Sequence, residues 1–134
     1  MNNEKPGNSL ANIKSSLQAN PEISFRIANS KESLYFTFEG TLTEADAKNA
    51  VEKWKKMLGA KTTGIIHIWN CVKMKGYEPV ARQIWQRTLK ELKTKIETIW
   101  LISDSTLIIA GAKILSIFTS LDIKAVKSEA EIIY

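Results

Sequence analysis

The chain has 134 residues, of which 44% are hydrophobic and 25% are charged. This length suits one domain that buries a core without metal ions or disulfides, and the composition excludes disordered, collagen-like and disulfide-framed chains. Because Cys71 is the only cysteine, an internal disulfide is excluded as well. The first twenty residues lack the layout of a signal peptide, so the sequence predicts a cytoplasmic protein.

Basic residues are concentrated in one part of the chain. The segment Lys53–Lys95 contains eleven lysines and arginines against two glutamates, so it carries +9 while the rest of the chain carries −4. Such asymmetry attracts an acidic protein surface, a nucleic acid or an anionic membrane through long-range forces that salt weakens. A solvated helix face has the same composition, so charge alone leaves these interpretations open.

The chain is predicted to begin with a flexible tail over residues 1–20, which are rich in Asn, Ser and Lys and include one short helix, Leu10–Leu17. A single domain is predicted to follow over residues 21–134. Apolar and polar residues alternate over Ile23–Ile27 and Leu34–Phe38, and turn formers lie between them. The domain is therefore predicted to open with an antiparallel hairpin whose turn spans residues 29–33.

After the hairpin the apolar period changes to about three and a half residues, which predicts an amphipathic helix. Thr43 and Asp46 have the spacing of a capping box at its start. Gly59 stands where a left-handed C-terminal cap is expected.

Two more strand-to-helix units follow. Short apolar runs predict strands that are covered on both faces, and Asp104, Ser105 and Thr106 offer capping oxygens to the helix after the second of them. The predicted elements are strand Thr63–Asn70, helix Tyr77–Lys93, strand Glu97–Ser103, helix Leu107–Leu121, strand Ile123–Val126 and a terminal helical turn within Glu129–Tyr134.

The predicted order is β-β-α-β-α-β-α-β. Strands that alternate with helices need crossover connections, and these are almost always right-handed. The sequence therefore predicts an α/β domain with a mixed, mostly parallel sheet and an antiparallel opening strand.

This succession resembles the sulphate-transporter and anti-sigma-factor-antagonist family, called STAS, and its SpoIIAA-like members. The resemblance lies in the order of elements and in hydrophobic pattern, and it extends over about residues 23–132. It implies a STAS-like fold and a domain that regulates by docking to a partner protein. The segments that carry it are ISFRI, LYFTFEGTLTEADA, GIIHIWNCVKMKGYEPVARQIW, ETIWLISDS and LDIKAVKSEAEI.

Antagonists of this family typically carry an Asp-Ser-Ser-Gly stretch after the central strand, and a partner kinase phosphorylates its serine. The aligned stretch here, Gly76–Pro79, reads Gly-Tyr-Glu-Pro, and no serine or threonine lies between Asn70 and Gln83. The resemblance therefore implies a module without a phospho-serine switch. Glu78 is predicted to be a helix-start glutamate favoured by the helix dipole, and a permanent imitation of the phosphate charge is the alternative.

The resemblance also places the partner surface in the loop after the central strand and at the start of the next helix. Tyr77 is predicted to be an exposed aromatic side chain, and one flanked by lysine and arginine suits an interface anchor, since Tyr and Arg are enriched at binding hot spots. The positive charge favours an acidic partner. The predicted partner-binding residues are Lys73, Lys75, Gly76, Tyr77, Glu78 and Arg82.

His67 and Cys71 are the residues most suited to chemistry. Strand alternation places His67 among large apolar residues, which predicts a buried, hydrogen-bonded histidine, and Cys71 is predicted to be a small buried residue. A nucleophilic Cys71 assisted by His67 would need an orienting acid, and a metal site would need distant carboxylates. Neither is identifiable, so the sequence predicts no catalytic residue, metal ligand or cofactor.

Phosphate chemistry is also disfavoured. Ser103–Ser105 follows a strand and precedes a helix, where backbone amides bind phosphate, but the Asp104 carboxylate would repel an anion, so N-capping is the predicted role. The glycines are isolated from one another, and no paired carboxylates share a predicted strand end. The sequence therefore predicts that the protein is not an enzyme.

The segment Leu107–Leu121 is unusual because apolar residues nearly encircle the predicted helix and Lys113 is its only charge. It is shorter than a membrane span of about twenty residues. Extra burial, a homodimer or partner interface, and a pocket for a lipophilic molecule or a membrane contact stay open. The residues predicted to serve a dimer or a ligand are Leu107, Ile108, Gly111, Ile114, Leu115 and Phe118.

Taken together, these features predict a non-enzymatic binding or regulatory module that docks to a partner protein. The alternative is a small lipophilic-ligand binding protein that uses the third helix. Nucleic acid is disfavoured as a partner, because aromatic residues do not interleave the exposed basic positions as stacking platforms require.

Overall fold

The computed structural model describes residues 19–134, so the predicted helix Leu10–Leu17 and most of the predicted tail lie outside the described residues. Within that range the chain forms five strands, three helices and two short 3₁₀ turns. The strands are β1 (Glu22–Ala28), β2 (Lys31–Leu42), β3 (Ile65–Tyr77), β4 (Ile96–Ile102) and β5 (Ile123–Val126). The helices are α1 (Glu44–Leu58), α2 (Pro79–Glu91) and α3 (Thr106–Thr119), and the turns are Lys93–Lys95 and Glu129–Glu131.

The five strands form one sheet in which spatial order follows chain order, β1-β2-β3-β4-β5. β1 is antiparallel to β2, and every later neighbouring pair is parallel. Each crossover therefore moves one strand further in the same direction, and right-handed connections then place all three helices on one face of the sheet. The predicted α/β class with a mixed, mostly parallel sheet is confirmed.

The opening hairpin is tighter than its sequence suggested. Ala28 pairs with Lys31, so Asn29 and Ser30 alone form the turn, and both have positive φ values of 53° and 64°. Two-residue turns of this kind match the right-handed twist of paired strands, and Asn tolerates the left-handed region better than most residues. The prediction of a turn over residues 29–33 was wrong, because strand pairing continues to the turn itself.

Helix α1 confirms one predicted cap and corrects the other. The Thr43 hydroxyl accepts from the Asp46 backbone N–H, and the Asp46 carboxylate accepts from the Thr43 backbone N–H, which is a complete capping box. Gly59 has φ −55° and ψ −37°, so the predicted left-handed cap was wrong. Instead, the Lys95 ammonium donates to the carbonyl oxygens of Leu58 and Gly59, which satisfies the end of the helix from another part of the chain.

Strand β3 is longer than predicted and leaves almost no loop before α2. It continues to Tyr77, and Glu78 alone separates it from α2. The extension arises from pairing with β2, which is also long and whose Leu42 lies opposite Tyr77. The predicted loop after the central strand is therefore wrong, and the residues assigned to it belong to β3, apart from Glu78.

Between the sheet and the helices lies a cluster of aromatic side chains. Their ring centroids are 5.0 to 6.5 Å apart and most pairs meet edge to face, which is the favoured geometry for aromatic packing. The cluster consists of Phe36, Phe38, Trp54, His67, Trp69 and Trp85.

The opposite face of the sheet has its own smaller core, to which the C-terminal segment contributes. Ile132 is buried against Ile68 and Trp100, and Tyr134 packs beside them. The Tyr35 hydroxyl donates to the Glu129 carboxylate and accepts from the Asn70 amide, which ties this segment to β2 and β3. The chain end therefore supplies cover on a face that no helix between residues 19 and 134 reaches.

His67 is fully buried and its two ring nitrogens are both satisfied. The Trp54 indole N–H donates to Nε2 at 3.0 Å, so Nε2 must be the acceptor, and Nδ1 donates to the carbonyl oxygen of Ile65 at 2.8 Å. Burial lowers the pKa of His67 from 6.5 to about 4, although the hydrogen bond to Ile65 acts in the opposite direction. The predicted buried, hydrogen-bonded histidine is confirmed, and its contact with Trp54 joins α1 to the centre of the sheet.

This histidine should make stability depend on pH. Above pH 6.5 both the folded and the unfolded state hold a neutral imidazole, and between pH 6.5 and about 4 only the unfolded state gains the proton. The free energy of unfolding should therefore fall by about 3 kcal/mol as pH drops through this window. Urea unfolding measured at several pH values checks this expectation.

His67→Gln is the matched control for that experiment, because a glutamine oxygen accepts the Trp54 N–H but does not titrate. The carboxylates contribute equally in both proteins, so the difference between the two pH profiles isolates the histidine. Parallel profiles for wild type and His67→Gln would contradict the expectation.

Candidate functional site

A cavity of about 50 Å³ lies where β2, β3 and β4 end beneath α2 and α3. In α/β sheets, the carboxyl ends of the strands are the usual place for ligands. The two helices also begin near this edge, so the positive ends of their dipoles lie close to it. Its lining consists of Phe38, Leu42, Trp69, Cys71, Met74, Tyr77, Arg82, Trp85, Leu101, Ile108, Gly111, Ala112 and Leu115.

One residue of the cavity lining, Trp69, has a buried polar atom without a partner. It is 2% exposed, and its indole Nε1–H is the one buried side-chain donor between residues 19 and 134 that has no hydrogen-bond partner. A buried donor without an acceptor is rare in folded proteins and calls for an explanation. The neighbouring Trp54 donor, by contrast, is fully satisfied by His67.

Cys71 also lines the cavity, but its environment makes it inert. It is 3% exposed, and burial raises the pKa of its thiol from 9.0 to about 12. The thiolate that would act as a nucleophile is therefore scarce at neutral pH. His67 already uses both ring nitrogens on Trp54 and Ile65, so it forms no catalytic pair with Cys71.

Tyr77 closes one side of the cavity by lying against α3. A Cβ atom placed on Gly111 would lie 2.6 Å from the Tyr77 hydroxyl oxygen and 3.0 Å from two of its ring carbons. Glycine at position 111 is therefore what permits this contact. Tyr77 is only partly exposed, so it differs from the freely exposed aromatic that the sequence suggested.

The other predicted partner-binding residues have mixed surroundings. Lys73 and Lys75 are exposed on the outer part of β3, Arg82 is partly buried and lines the cavity, and Gly76 is buried near Leu107. Within the described range, none of the three basic side chains takes part in an ion pair or hydrogen bond.

Glu78 has a defined structural partner. Its carboxylate accepts from the backbone N–H of Glu44 at 2.7 Å, and its own N–H donates to the carbonyl of Leu42 at 2.9 Å. Its side chain therefore satisfies the start of α1 rather than its own helix, for which it is the N-cap residue without a side-chain bond. The predicted helix-start glutamate serves the neighbouring helix.

The six residues that were predicted to serve a dimer or a ligand divide into two rows on α3. Ile108, Gly111 and Leu115 point toward the sheet and line the cavity. Leu107 and Phe118 lie on the outside, with 54% and 57% of their surface exposed, and Ile114 is intermediate. Between residues 19 and 134, no helix is both long enough and apolar enough to cross a bilayer.

The stretch Ser103–Ser105 has the capping role predicted for it. The Ser105 hydroxyl accepts from the backbone N–H of Ile108 at 3.3 Å and begins α3, and the Ser103 hydroxyl accepts from the Ser105 N–H. In the described part of the chain, no group of three or more His, Cys, Asp or Glu side chains lies together as a metal site would require.

Sequence reasoning missed the cavity itself. Trp69, Phe38, Leu42, Met74 and Leu101 were not among the predicted site residues, although Leu42, Met74 and Leu101 lie near the carboxyl ends of their strands. The signal in the sequence was that large apolar residues, Leu42 and Met74, continue past the predicted ends of two strands. This signal could be interpreted only with the knowledge that β2 and β3 pair with each other beyond their predicted ends.

Comparison with known proteins identifies the fold. No protein-family model matches the chain, and no curated protein does either. A crystal structure of an uncharacterized protein from the DUF3478 family, with a SpoIIAA-like fold, from Shewanella loihica PV-4 superposes with a TM-score of 0.72 at 15% identity. That match covers 84% of this chain and 90% of the other.

The anti-sigma factor antagonist SpoIIAA, solved in its unphosphorylated form, is also similar. Its TM-score is 0.58 at 13% identity, and the match covers 82% of this chain and 92% of SpoIIAA. The protein therefore has a SpoIIAA-like fold, as the resemblance implied. At these identities the similarity establishes architecture, and the function has to be argued from the site.

The contact between Tyr77 and Gly111 can be tested by a double-mutant cycle. Alanine is favoured over glycine within a helix by about 1 kcal/mol, whereas overpacking typically costs about 1–3 kcal/mol. Gly111→Ala should therefore destabilise the wild type but stabilise the Tyr77→Ala variant. Urea unfolding of the four proteins gives the coupling energy.

Between residues 19 and 134, no exposed helical position has a glycine at which the same change could be made. The Tyr77→Ala background is therefore the control. If Gly111→Ala shifted the free energy of unfolding by the same amount with and without the tyrosine ring, the two residues would not be in contact.

Proposed function

We propose that this protein is a non-enzymatic regulatory module that docks to a partner protein through the end of β3 and the start of α2. The observation that carries the proposal is the exposure of Lys73 and Lys75 and the partial exposure of Tyr77 and Arg82 at the end of β3 and the start of α2. Between residues 19 and 134, no acidic side chain forms an ion pair with these three basic ones. Aromatic and arginine side chains in this setting are typical of interface anchors.

Of the eight remaining basic residues of the segment Lys53–Lys95, three have partners between residues 19 and 134 and five have none. Several lysines of the positive segment have partners within the domain: Lys55 pairs with Glu91 at 2.7 Å, Lys61 pairs with Glu32 at 2.8 Å, and Lys95 caps α1. The positive charge around Tyr77 is not offset in this way. An acidic partner surface is the complement that such a patch attracts.

The non-enzymatic part of the proposal rests on the two residues most suited to catalysis. Burial keeps His67 in its neutral form, and both of its ring nitrogens are already hydrogen-bonded, while Cys71 is buried with a raised pKa. Neither is poised to accept a proton or attack a substrate near neutral pH. We expect this module to act in the cytoplasm. Because it has no serine at the position that aligns with the phosphorylated serine of the antagonists, its regulation would not depend on serine phosphorylation at that position.

Charge reversal tests the docking surface. Lys73→Glu with Lys75→Glu should weaken partner binding at least about tenfold, since both the attraction and the approach rate depend on complementary charge. The partner would be isolated on the immobilised wild-type protein, identified by mass spectrometry, purified and titrated against each variant.

Lys31→Glu with Lys127→Glu is the matched control, because both lysines are exposed and the change in net charge is the same. Those reversals should leave the affinity for the purified partner within about twofold. Equal losses from the two pairs of substitutions would show that net charge alone matters, and the proposed surface would be abandoned.

A further inference from the structure

β1 lies at one edge of the sheet, and most of its residues are exposed. Within residues 19–134 it pairs with β2 alone, and five of its seven residues are exposed while Ile23 is buried. Two of the exposed side chains are large and apolar, since Phe25 is 41% and Ile27 is 80% exposed. An exposed apolar edge strand is a template for pairing with another strand, unless charge, proline, a bulge or short length prevents it.

The opposite edge of the sheet has the protection that β1 lacks. β5 is four residues long and carries the exposed Lys124, and the exposed Asp122 lies just before it. Short edge strands with a lysine are poor templates for pairing. β1, by contrast, is seven residues long, contains neither lysine nor proline, and pairs with β2 in a register without a bulge. Of the two edges, β1 is therefore the one suited to pairing.

The free side of β1 presents the backbone groups of alternate residues. Because the hairpin turn has only two residues, Ala28 and Lys31 are the hydrogen-bonded pair that closes it. Hydrogen-bonded pairs recur at every second residue, so Arg26 also faces β2, and its carbonyl accepts from the Ser33 hydroxyl at 3.3 Å. The residues whose N–H and C=O groups face away from β2 are Ile23, Phe25 and Ile27.

The sequence of β1 is complementary to itself when two copies lie antiparallel. If Ser24 lies opposite Ser24 of a second copy, then Glu22 lies opposite Arg26. In the same register Ile23 lies opposite Phe25, and each of these pairs occurs twice. Since Ile23 and Phe25 both face outward, each such pair can exchange hydrogen bonds in both directions. We propose that the protein forms a two-fold symmetric homodimer in which the β1 strands of two copies pair in this register.

Charge complementarity favours a second copy as the occupant of this edge. Glu22 and Arg26 are exposed, point to the same face of the sheet, and form no ion pair with another residue between 19 and 134. The Arg26 guanidinium lies 3.5 Å from the centre of the Tyr35 ring, which keeps its charge on that face. Opposite charges on facing residues stabilise a strand pair, and like charges destabilise it. A shift of two residues in either direction would separate both charge pairs.

The two-fold axis determines the shape of the dimer. An axis perpendicular to the sheet joins the two five-stranded sheets into one and leaves the helices of both copies on the same face. Ile23 and Phe25 then meet on the helix side, and the ion pairs lie on the other face. Five overlapping residues span about 17 Å, so the interface is small for a specific complex. We expect a reversible dimer with a dissociation constant of about 10–100 µM.

The outer row of α3, which the sequence suggested for a dimer, lacks this complementarity. Leu107 and Phe118 are exposed there, but Lys113 is the only charged residue of the helix. Two copies of α3 would therefore meet without opposite charges to fix their register.

The inference does not rest on docking to a partner protein. Lys73 and Lys75 lie on β3, which β2 separates from β1, so the dimer leaves the docking surface exposed. Self-association is measured on the protein alone, and the Lys73→Glu, Lys75→Glu protein should dimerise like the wild type. Failure of one proposal is therefore distinguishable from failure of the other.

The experiment is sedimentation velocity of the full chain at concentrations from about 1 to 500 µM, which brackets the expected dissociation constant. Glu22→Arg and Arg26→Glu each place like charges opposite one another at two positions. Each variant should therefore dimerise at least about tenfold more weakly than the wild type. An equimolar mixture of the two variants should recover association, because arginine faces glutamate at both positions of the mixed dimer.

Glu97→Arg and Lys113→Glu are the matched controls, because both residues are exposed, lie on β4 and α3, and undergo the same changes in charge. Each should leave the dissociation constant within about twofold of the wild type. A full chain that stays monomeric at the highest concentration would overturn the proposal. A dimer that survives both β1 reversals would locate the interface elsewhere and overturn it too. So would a mixture of folded Glu22→Arg and Arg26→Glu proteins that associates no better than either protein alone.

Discussion

The arrangement of the whole domain follows from one constraint: neighbouring strands in the sheet are also neighbours in the chain. Right-handed crossovers then place α1, α2 and α3 on the same face, and both α2 and α3 begin where parallel strands end. Large aromatic side chains fill the layer between helices and sheet. At the carboxyl edge this layer is incompletely filled, and the cavity lies there.

The two buried indole donors of Trp54 and Trp69 have different surroundings within this layer. The Trp54 indole N–H reaches Nε2 of His67, whose other nitrogen is fixed by a backbone carbonyl, so this network is complete and structural. The Trp69 indole N–H has no such partner among residues 19–134. A buried donor without a partner destabilises a fold. The complete hydrogen-bond network of Trp54 and the unpaired donor of Trp69 therefore indicate different roles for the two tryptophans.

The positive segment likewise separates into structural and unpaired charge. Lys55, Lys61 and Lys95 contact partners on other elements and help to join them, although exposed ion pairs contribute little to stability. Lys73, Lys75 and Arg82 lie toward the carboxyl edge of the sheet, near the helix starts. Positive potential at this edge would favour the proposed docking of an acidic surface.

Much of the fold could be predicted because it depends on local periodicity and capping. The alternation in β1, the capping box of Thr43 and Asp46, and the Ser105 cap each require only residues close in sequence. The sequence also indicated part of the candidate site, namely Tyr77, Arg82 and the residues Ile108, Gly111 and Leu115 of α3. It assigned them to two separate sites, a partner surface and a dimer or ligand site. The resemblance in element order also sufficed to predict the SpoIIAA-like fold, which structural similarity supports.

The sequence by itself determined the order of elements, the single-domain size and the basic character of the middle segment, because periodicity, length and charge are properties of the chain. Only the tertiary structure decided that β3 continues to Tyr77, since pairing with β2 overrides the weak strand pattern there. It also decided that Gly111 contacts Tyr77 and that Trp69 has no acceptor between residues 19 and 134, because both depend on which distant residues the packed helices bring together.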